Sequence, residues 1–434
     1  MATKIVLIGA GSIDFGKGQI VDILAAEDLR GRGIELVLVD IDQRALDTMM
    51  ALAKRVADYV GSDIRLSAYT DRQVALKGAN YVLAAVARKR MPLWEQDYRV
   101  PQSYGVRHIL GENGGPGALF HSLRSLKLVI PICRDIETIC PDAQFFNFTN
   151  PEARVLHAIT HLTKVRATGF CHGFFAAEKV ICRYLDRSPD DLEIISAGMN
   201  HFYTVLKVTD RQSGDDLTEE VFKRGLEDPQ APPLWRQMIE VFGLFSYPSD
   251  DHIGEYLAYG GDFGHGKWPY GRECRNIPLS GNELIFHAKP PVAPYASGET
   301  PLDDAFVEPS CEITVPIIAD IELRRRMFRP SVNVQNTSGF VENLPRHAIV
   351  EVPAMVDGDG IHPMKVGPIP EPIAAIIRTH YAIHDLVTEA FHTGRKRPLL
   401  QALLLDPCIH SLHAARGILD DMLELQKDYL PELR

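Results

Sequence analysis

The sequence predicts an α/β protein, with a parallel sheet wrapped by helices in its N-terminal part and a mixed α+β region after it. Three observations carry this. Short apolar runs end in Gly or Asp, as strands buried on both faces do. Segments with helical spacing of apolar residues separate those runs, which is the β-α-β rhythm of a parallel sheet. From about residue 196 the rhythm changes to adjoining strand-like runs and then to long amphipathic helices. The expected division is residues 1–195 and 196–434.

The elements follow in order. KIVLIGA reads as a buried strand, FGKGQIVDILAAEDL as a helix, IELVLVD as a strand and RALDTMMALAKRVADYV as a helix. IRLSAYT and NYVLAAVA add two strands. RKRMPLWEQDYRVPQSYG, residues 88–105, reads as a polar, partly aromatic loop. GALFHSLRSLKLVIPICRDIETI resumes a helix and AQFFNFT a strand. SAGMNHFYTVLKV looks antiparallel or mixed, and residues 244–300 are rich in loop formers. PIAAIIRTHYAIHDLVTEAFHTG is a long amphipathic helix, with RPLLQALLLDP and LHAARGILDDMLELQKDYL behind it.

With 434 residues, 45% of them hydrophobic and 24% charged, the chain can bury a sizeable core without staples. The net charge is 46 minus 57, or −11, which disfavours non-specific binding to nucleic acid or to an anionic membrane. The opening MATKIVLIGAGS does not read as a signal peptide, and no apolar stretch approaches a membrane span. Seven Cys (133, 140, 171, 182, 274, 311 and 408) without framework spacing suggest reduced thiols and a cytoplasmic location.

The first turn reads Gly9-Ala10-Gly11-Ser12-Ile13-Asp14, with Asp14 where a full G-x-G-x-x-G fingerprint has its third Gly. Gly9 permits a tight turn, and Gly11 lets a pyrophosphate approach the backbone at a helix N-terminus. Asp40 ends the next strand, where a carboxylate can bond both hydroxyls of an adenosine ribose and repel the 2′-phosphate of NADP. A plain strand-to-helix turn is the bland alternative; the strand context and Asp40 favour NAD.

Asn150, in NFTNPE, sits where ligands bind in open α/β sheets and can serve sugar-like hydroxyls. A simple Asn-Pro helix start is physically sufficient as well. Cys171-His172 ends a strand, and His201 follows a Gly-Met-Asn turn. Each could be a satisfied structural residue. Together, Cys171 and His201 suit a divalent ion whose open positions chelate substrate oxygens, and two protein ligands are too few for structural zinc. In GENGGPGALFHSL, Glu112 could bond a substrate hydroxyl. In SDDHIGEYL, Asp250, Asp251, His252 and Tyr256 are candidate bases or solvated surface.

GAGS, NFTNPE, CHG, GMNHF, GFVENLPRHAIVEVPAMVDGDGIHP and ALLLDP, in this order over nearly the whole chain, resemble glycoside hydrolase family 4. The resemblance implies a Rossmann-like domain related to lactate and malate dehydrogenases, NAD, and a divalent metal, usually Mn²⁺. It implies a glycosidase outside the two-carboxylate mechanism: NAD⁺ oxidises C3, the metal acidifies the C2 proton, a base removes it, the leaving group is eliminated, and water and hydride return. It implies Cys171 and His201 as metal ligands, Asn150 and Asn200 at the substrate, and Gly9, Gly11, Ser12 and Asp40 at the cofactor. His172 occupies the position that varies with specificity; as part of CHG it resembles α-glucuronidases, with α-galacturonidases close by and α-galactosidases next. The family's base maps to residues 250–256, and Asp250, then Tyr256, is expected. An anionic C6 group needs a cation, for which Arg88, Lys89, Arg90, Arg272 and Arg275 are available. A homo-oligomer, dimer or tetramer, is implied by the same likeness. The rivals are a lactate- or malate-type dehydrogenase, which would want a His–Asp relay, and a nucleotide-sensing protein with a dead site.

Overall fold

The computed structural model describes residues 3–13, 15–264, 291–310 and 312–434. Six parallel strands form one half of a single sheet: β1 (Lys4–Ile8), β2 (Glu35–Val39), β3 (Arg65–Tyr69), β4 (Tyr81–Ala84), β5 (Gln144–Asn147) and β6 (Arg166–Gly169). Their spatial order is β3-β2-β1-β4-β5-β6. Apolar residues of β1, β2 and β4 are almost wholly buried, which explains the continuous apolar runs in the sequence.

Five more strands extend this sheet: β7 (Leu192–Met199), β8 (Phe202–Asp210), β9 (Met327–Gln335), β10 (Ile349–Asp357) and β11 (Gly360–Pro363). β9 joins β6 antiparallel at Asn333 and Gly169, and the order continues β9-β10-β7-β8. β7 and β8 form an antiparallel hairpin in which Met199 faces Phe202, so Asn200 and His201 make its tip. Residue 195 lies within β7, and the two halves share one sheet.

The segment expected as a loop at residues 88–105 is instead mostly a helix, Arg90–Ser103. Pro92 falls in its first turn, where a backbone N–H has no intrahelical partner to lose. Leu93, Trp94 and Tyr98 are buried, and the buried Asp97 accepts from Arg124 Nη1 at 2.9 Å. The three C-terminal helices are Glu371–Thr393, Lys396–Leu405 and Leu412–Leu425. Among the described residues, no helix is long and apolar enough to cross a membrane. Asp14, Arg272, Cys274, Arg275 and Cys311 lie outside the described residues.

Candidate active site

β1 is flanked by β2 on one side and β4 on the other, so chain connections diverge there. Ligands bind outside the carboxyl ends of strands at such a point. A cleft of about 1410 Å³ opens at that edge, with Gly9, Ser12 and Asp40 in its lining together with Asn150, Cys171 and His201.

At the nucleotide turn, Gly9 has φ +87°, and a Cβ there would meet Ala85 O at 2.2 Å. Only glycine fits. Gly11 N–H donates to Asp40 Oδ2 at 2.8 Å, and Asp42 N–H donates to Asp40 Oδ1 at 2.9 Å. An ionised carboxylate has about four lone-pair sites, so each oxygen of Asp40 retains capacity for a ribose hydroxyl. Ser12 Oγ accepts the Phe15 N–H at 3.2 Å and lines the cleft. These residues fit a dinucleotide.

At the chemical end, Cys171 Sγ and His201 Nε2 are 3.1 Å apart. Gly173 N–H also points at the sulfur, at 3.3 Å. Bonds of about 2.1 and 2.3 Å to one ion, set at about a right angle, give a separation of about 3.1 Å. The pair therefore fits as adjacent ligands. Burial pushes the Cys171 thiol up to about 11 and the His201 imidazole down to about 4. At neutral pH without metal they are a neutral thiol and a neutral imidazole, and metal binding displaces the thiol proton.

Glu112 is buried and forms a knot. Its Oε1 accepts from Arg90 Nη2 at 2.5 Å and from Asn150 Nδ2 at 3.2 Å. Burial raises its pKa, but Arg90, with His121 and His252, outweighs burial and holds it at about 2. Its loop is held by Glu255, whose Oε2 accepts the N–H groups of Glu112, Asn113 and Gly114 at 2.7, 2.5 and 2.7 Å. His172 lines the cleft with a side chain 66% exposed, its Nδ1 3.7 Å from Glu312 Oε1. Glu312 and then Cys171 push it up to about 9.

Three expected residues are placed elsewhere. Asp250 accepts the Trp235 N–H at 2.9 Å at the start of helix Pro233–Phe242 and does not line the cleft. Tyr256 is buried behind His201, donating to Asn200 O at 3.1 Å. Asn200 is buried too, its Nδ2 donating to Glu351 Oε2 at 3.0 Å. Tyr256 supports the hairpin tip from behind, and Asn200 anchors the tip to Glu351. The cleft instead presents Tyr247 and His252. The Tyr247 ring stacks on His201, centroids 5.7 Å apart, and His252 Nδ1 lies 2.7 Å from Asp251 Oδ1. Tyr247 was not singled out by the sequence, where it is one aromatic residue in a loop-rich stretch; His252 was, within SDDHIGEYL.

Fold and site together define an α/β protein that pairs a dinucleotide-type turn with a thiol–imidazole pair able to hold a divalent ion. Residues 4–187 match the family model described as Family 4 glycosyl hydrolase, and residues 196–409 match that of its C-terminal domain. The chain belongs to the family 4 glycosyl hydrolases. It is 31% identical to an alpha-glucosidase of Erwinia rhapontici over 100% of both chains. It is also 31% identical to an alpha-galactosidase of Bacillus subtilis, over 99% of this chain and 100% of that one. Among solved structures, a 6-phospho-alpha-glucosidase from gut microorganisms in complex with NAD and Mn²⁺ aligns over 100% of both chains, with TM-score 0.80 and 21% identity. A malate dehydrogenase from Plasmodium falciparum aligns more weakly, with TM-score 0.53 and 14% identity over 90% of this chain and 99% of that one, a likeness of fold.

Proposed function

We propose that the chain hydrolyses α-glycosides of an acidic sugar, an α-glucuronide first and an α-galacturonide next, with NAD and a divalent metal, Mn²⁺ by preference. The observation that carries the reading is the Cys171–His201 pair, 3.1 Å apart, in one cleft with the Gly9 turn and Asp40. The acidic preference rests on a side pocket of about 250 Å³ that shares Arg88, Arg90 and His121 with the cleft and adds Arg124 and Lys127. Arg90 and Arg124 are neutralised by Glu112 and Asp97. Lys127 Nζ donates to the Leu430 carbonyl at 2.7 Å, Arg88 faces both pockets, and an Arg can clamp a carboxylate with two parallel bonds.

When bound, the dinucleotide supplies a hydride acceptor for C3, and the metal supplies a Lewis acid for the neighbouring oxygens. The side chains do the rest. Cys171 and His201 would hold the metal. Asn150 and Glu112, already joined at 3.2 Å, offer a donor and an acceptor to adjacent hydroxyls. Tyr247, whose ring stacks on His201, takes the C2 proton. Burial, then Cys171, Asp251 and Glu112, push its pKa up to about 12, and a cation seated beside His201 opposes that shift. His172, whose protonated form is favoured by the neighbouring Glu312 carboxylate, gives a proton to the leaving oxygen.

A thiol ligand suits a reducing cytoplasm. Leu404, Leu405, Leu412 and Leu425, between 41% and 54% exposed on the last helices, support assembly into a dimer or tetramer. The test is hydrolysis of p-nitrophenyl α-D-glucuronide beside the α-galacturonide, α-galactoside and α-glucoside, omitting NAD⁺, Mn²⁺ and thiol reductant in turn. Uronide cleavage that needs both cofactors and accumulates no NADH is expected. A second reading, a neutral hexoside, is favoured by the names of the two 31% identical relatives, and cleavage of the galactoside or glucoside alone selects it. Stoichiometric NADH selects a dehydrogenase, for which Asp251–His252 would serve as the relay.

A further inference from the structure

The helix Glu152–Leu162 carries His157 and His161, four residues apart and so on one face. Their rings stack with centroids 4.0 Å apart. Helix Glu371–Thr393 packs here and brings Asp385, whose Oδ1 lies 2.9 Å from His157 Nε2. The loop before β10 adds His347, its Nε2 3.1 Å from Asp385 Oδ2. One donor atom from each of His157, His161 and Asp385 lies within 4.8 Å of the other two. None of the four residues lines the catalytic cleft.

Two details set this cluster apart from an ion-paired surface patch. His161 Nδ1 is 2.7 Å from the His157 carbonyl oxygen. The ring N–H donates there, which leaves the Nε2 lone pair available, as in metal-bound imidazoles. His157 is 0% exposed; its Nε2 lies 2.9 Å from Asp385 Oδ1, and its Nδ1 has no partner. Such a buried, unmet imidazole is costly unless a further group completes it.

We propose that His157, His161 and Asp385, with His347 as fourth donor, form a second divalent-metal site, separate from the Cys171–His201 pair and suited to zinc or a similar borderline ion. Three imidazoles and one carboxylate match zinc better than manganese, which prefers oxygen donors. Four protein donors close the shell, so the role is structural. Donors on one tetrahedral zinc lie about 3.3 Å apart, a contraction that the exposed His161 and His347 side chains can make by rotation. The ion clips a helix of the N-terminal half, beginning just after Asn150, to the longest C-terminal helix.

The experiment uses untagged full-length protein, loaded with Zn²⁺, desalted and analysed for metal by mass spectrometry. Wild type should retain about two equivalents, Cys171→Ser about one, and the double variant His161→Gln/His347→Gln about one. Zinc affinity of this cluster should fall at least about 100-fold in the double variant. Addition of Zn²⁺ should raise the melting temperature of Cys171→Ser but not of Cys171→Ser carrying the two histidine changes. A wild type that retains a single equivalent, lost completely in Cys171→Ser, would overturn the proposal. So would unchanged zinc content in the double variant.

Discussion

Replacing Gly11 with Ala tests the nucleotide site at one atom. A Cβ on Gly11 would stand 2.7 Å from Asp40 Oδ2 and 2.8 Å from Ala45 Cβ. Ala45 lies in the first turn of helix Gln43–Val60 and cannot retreat alone. Comfortable non-bonded separations begin at about 3.4 Å, so the Asp40 oxygen must move roughly 0.7 Å. That movement breaks the 2.8 Å bond from Gly11 N–H and carries the ribose acceptor away from its place. A hydrogen bond to a charged group contributes about 1.5–3 kcal/mol. At about 1.4 kcal/mol per tenfold, NAD⁺ affinity should fall roughly 10- to 100-fold. Calorimetric titration with NAD⁺ at saturating Mn²⁺ measures it, and the melting temperature reports whether the fold survives. An unaltered Kd in a well-folded variant would refute the assignment of Gly11 and Asp40 to the cofactor.

Cys171→Ser exchanges a soft donor for a hard, protonated one; Mn²⁺-dependent activity should vanish while NAD⁺ affinity stays, and wild-type activity would remove Cys171 from the metal site. Tyr247→Phe keeps the stack on His201 but deletes the phenol; kcat should drop about 10²- to 10⁴-fold with NAD⁺ binding intact, and a drop under threefold would return the base to another residue. Burial and then Asp190 push the Glu178 carboxyl up from its ordinary 4.5 to about 7. Its folded pKa lies above its unfolded one, so native stability falls as pH rises from about 4.5 to about 7. Glu178→Gln should match wild type near pH 4 and exceed it by about 1 kcal/mol near pH 8, a figure discounted for partial exposure; urea melts giving the same difference at both pH values would contradict this.

The parallel half of the fold was legible because its signals are local. An apolar run such as KIVLIGA is a strand buried on both faces, and its Gly9 turn and Asp40 stand where adjoining strands end. The Cys171–His201 pairing was legible as chemistry, although thirty residues separate the two. Helix Arg90–Ser103 was not, since Pro92 and Pro101 and its charged residues mask the apolar spacing. The charged residues do separate work: Arg90 pairs with Glu112 and Asp97 with Arg124. In SDDHIGEYL the pattern did not say which way each side chain turns, and Asp250 and Tyr256 turn from the cleft to meet Trp235 and Asn200. Glu255 was invisible for a different reason: its value lies in three N–H groups more than 140 residues away in sequence.

The continuous sheet also ties the two sides of the cleft together. Cys171 follows β6 and His201 tips the β7–β8 hairpin, and those strands are joined through β9 and β10 by backbone hydrogen bonds. At each of the two junctions one residue pair carries the register, Gly169 with Asn333 and Gly198 with Glu351, so the strands that lead to Cys171 and His201 meet the shared sheet close to those two residues. The rim of the cleft, by contrast, is built from side chains, loop and one short helix, with His172, Tyr247 and His252 among its residues.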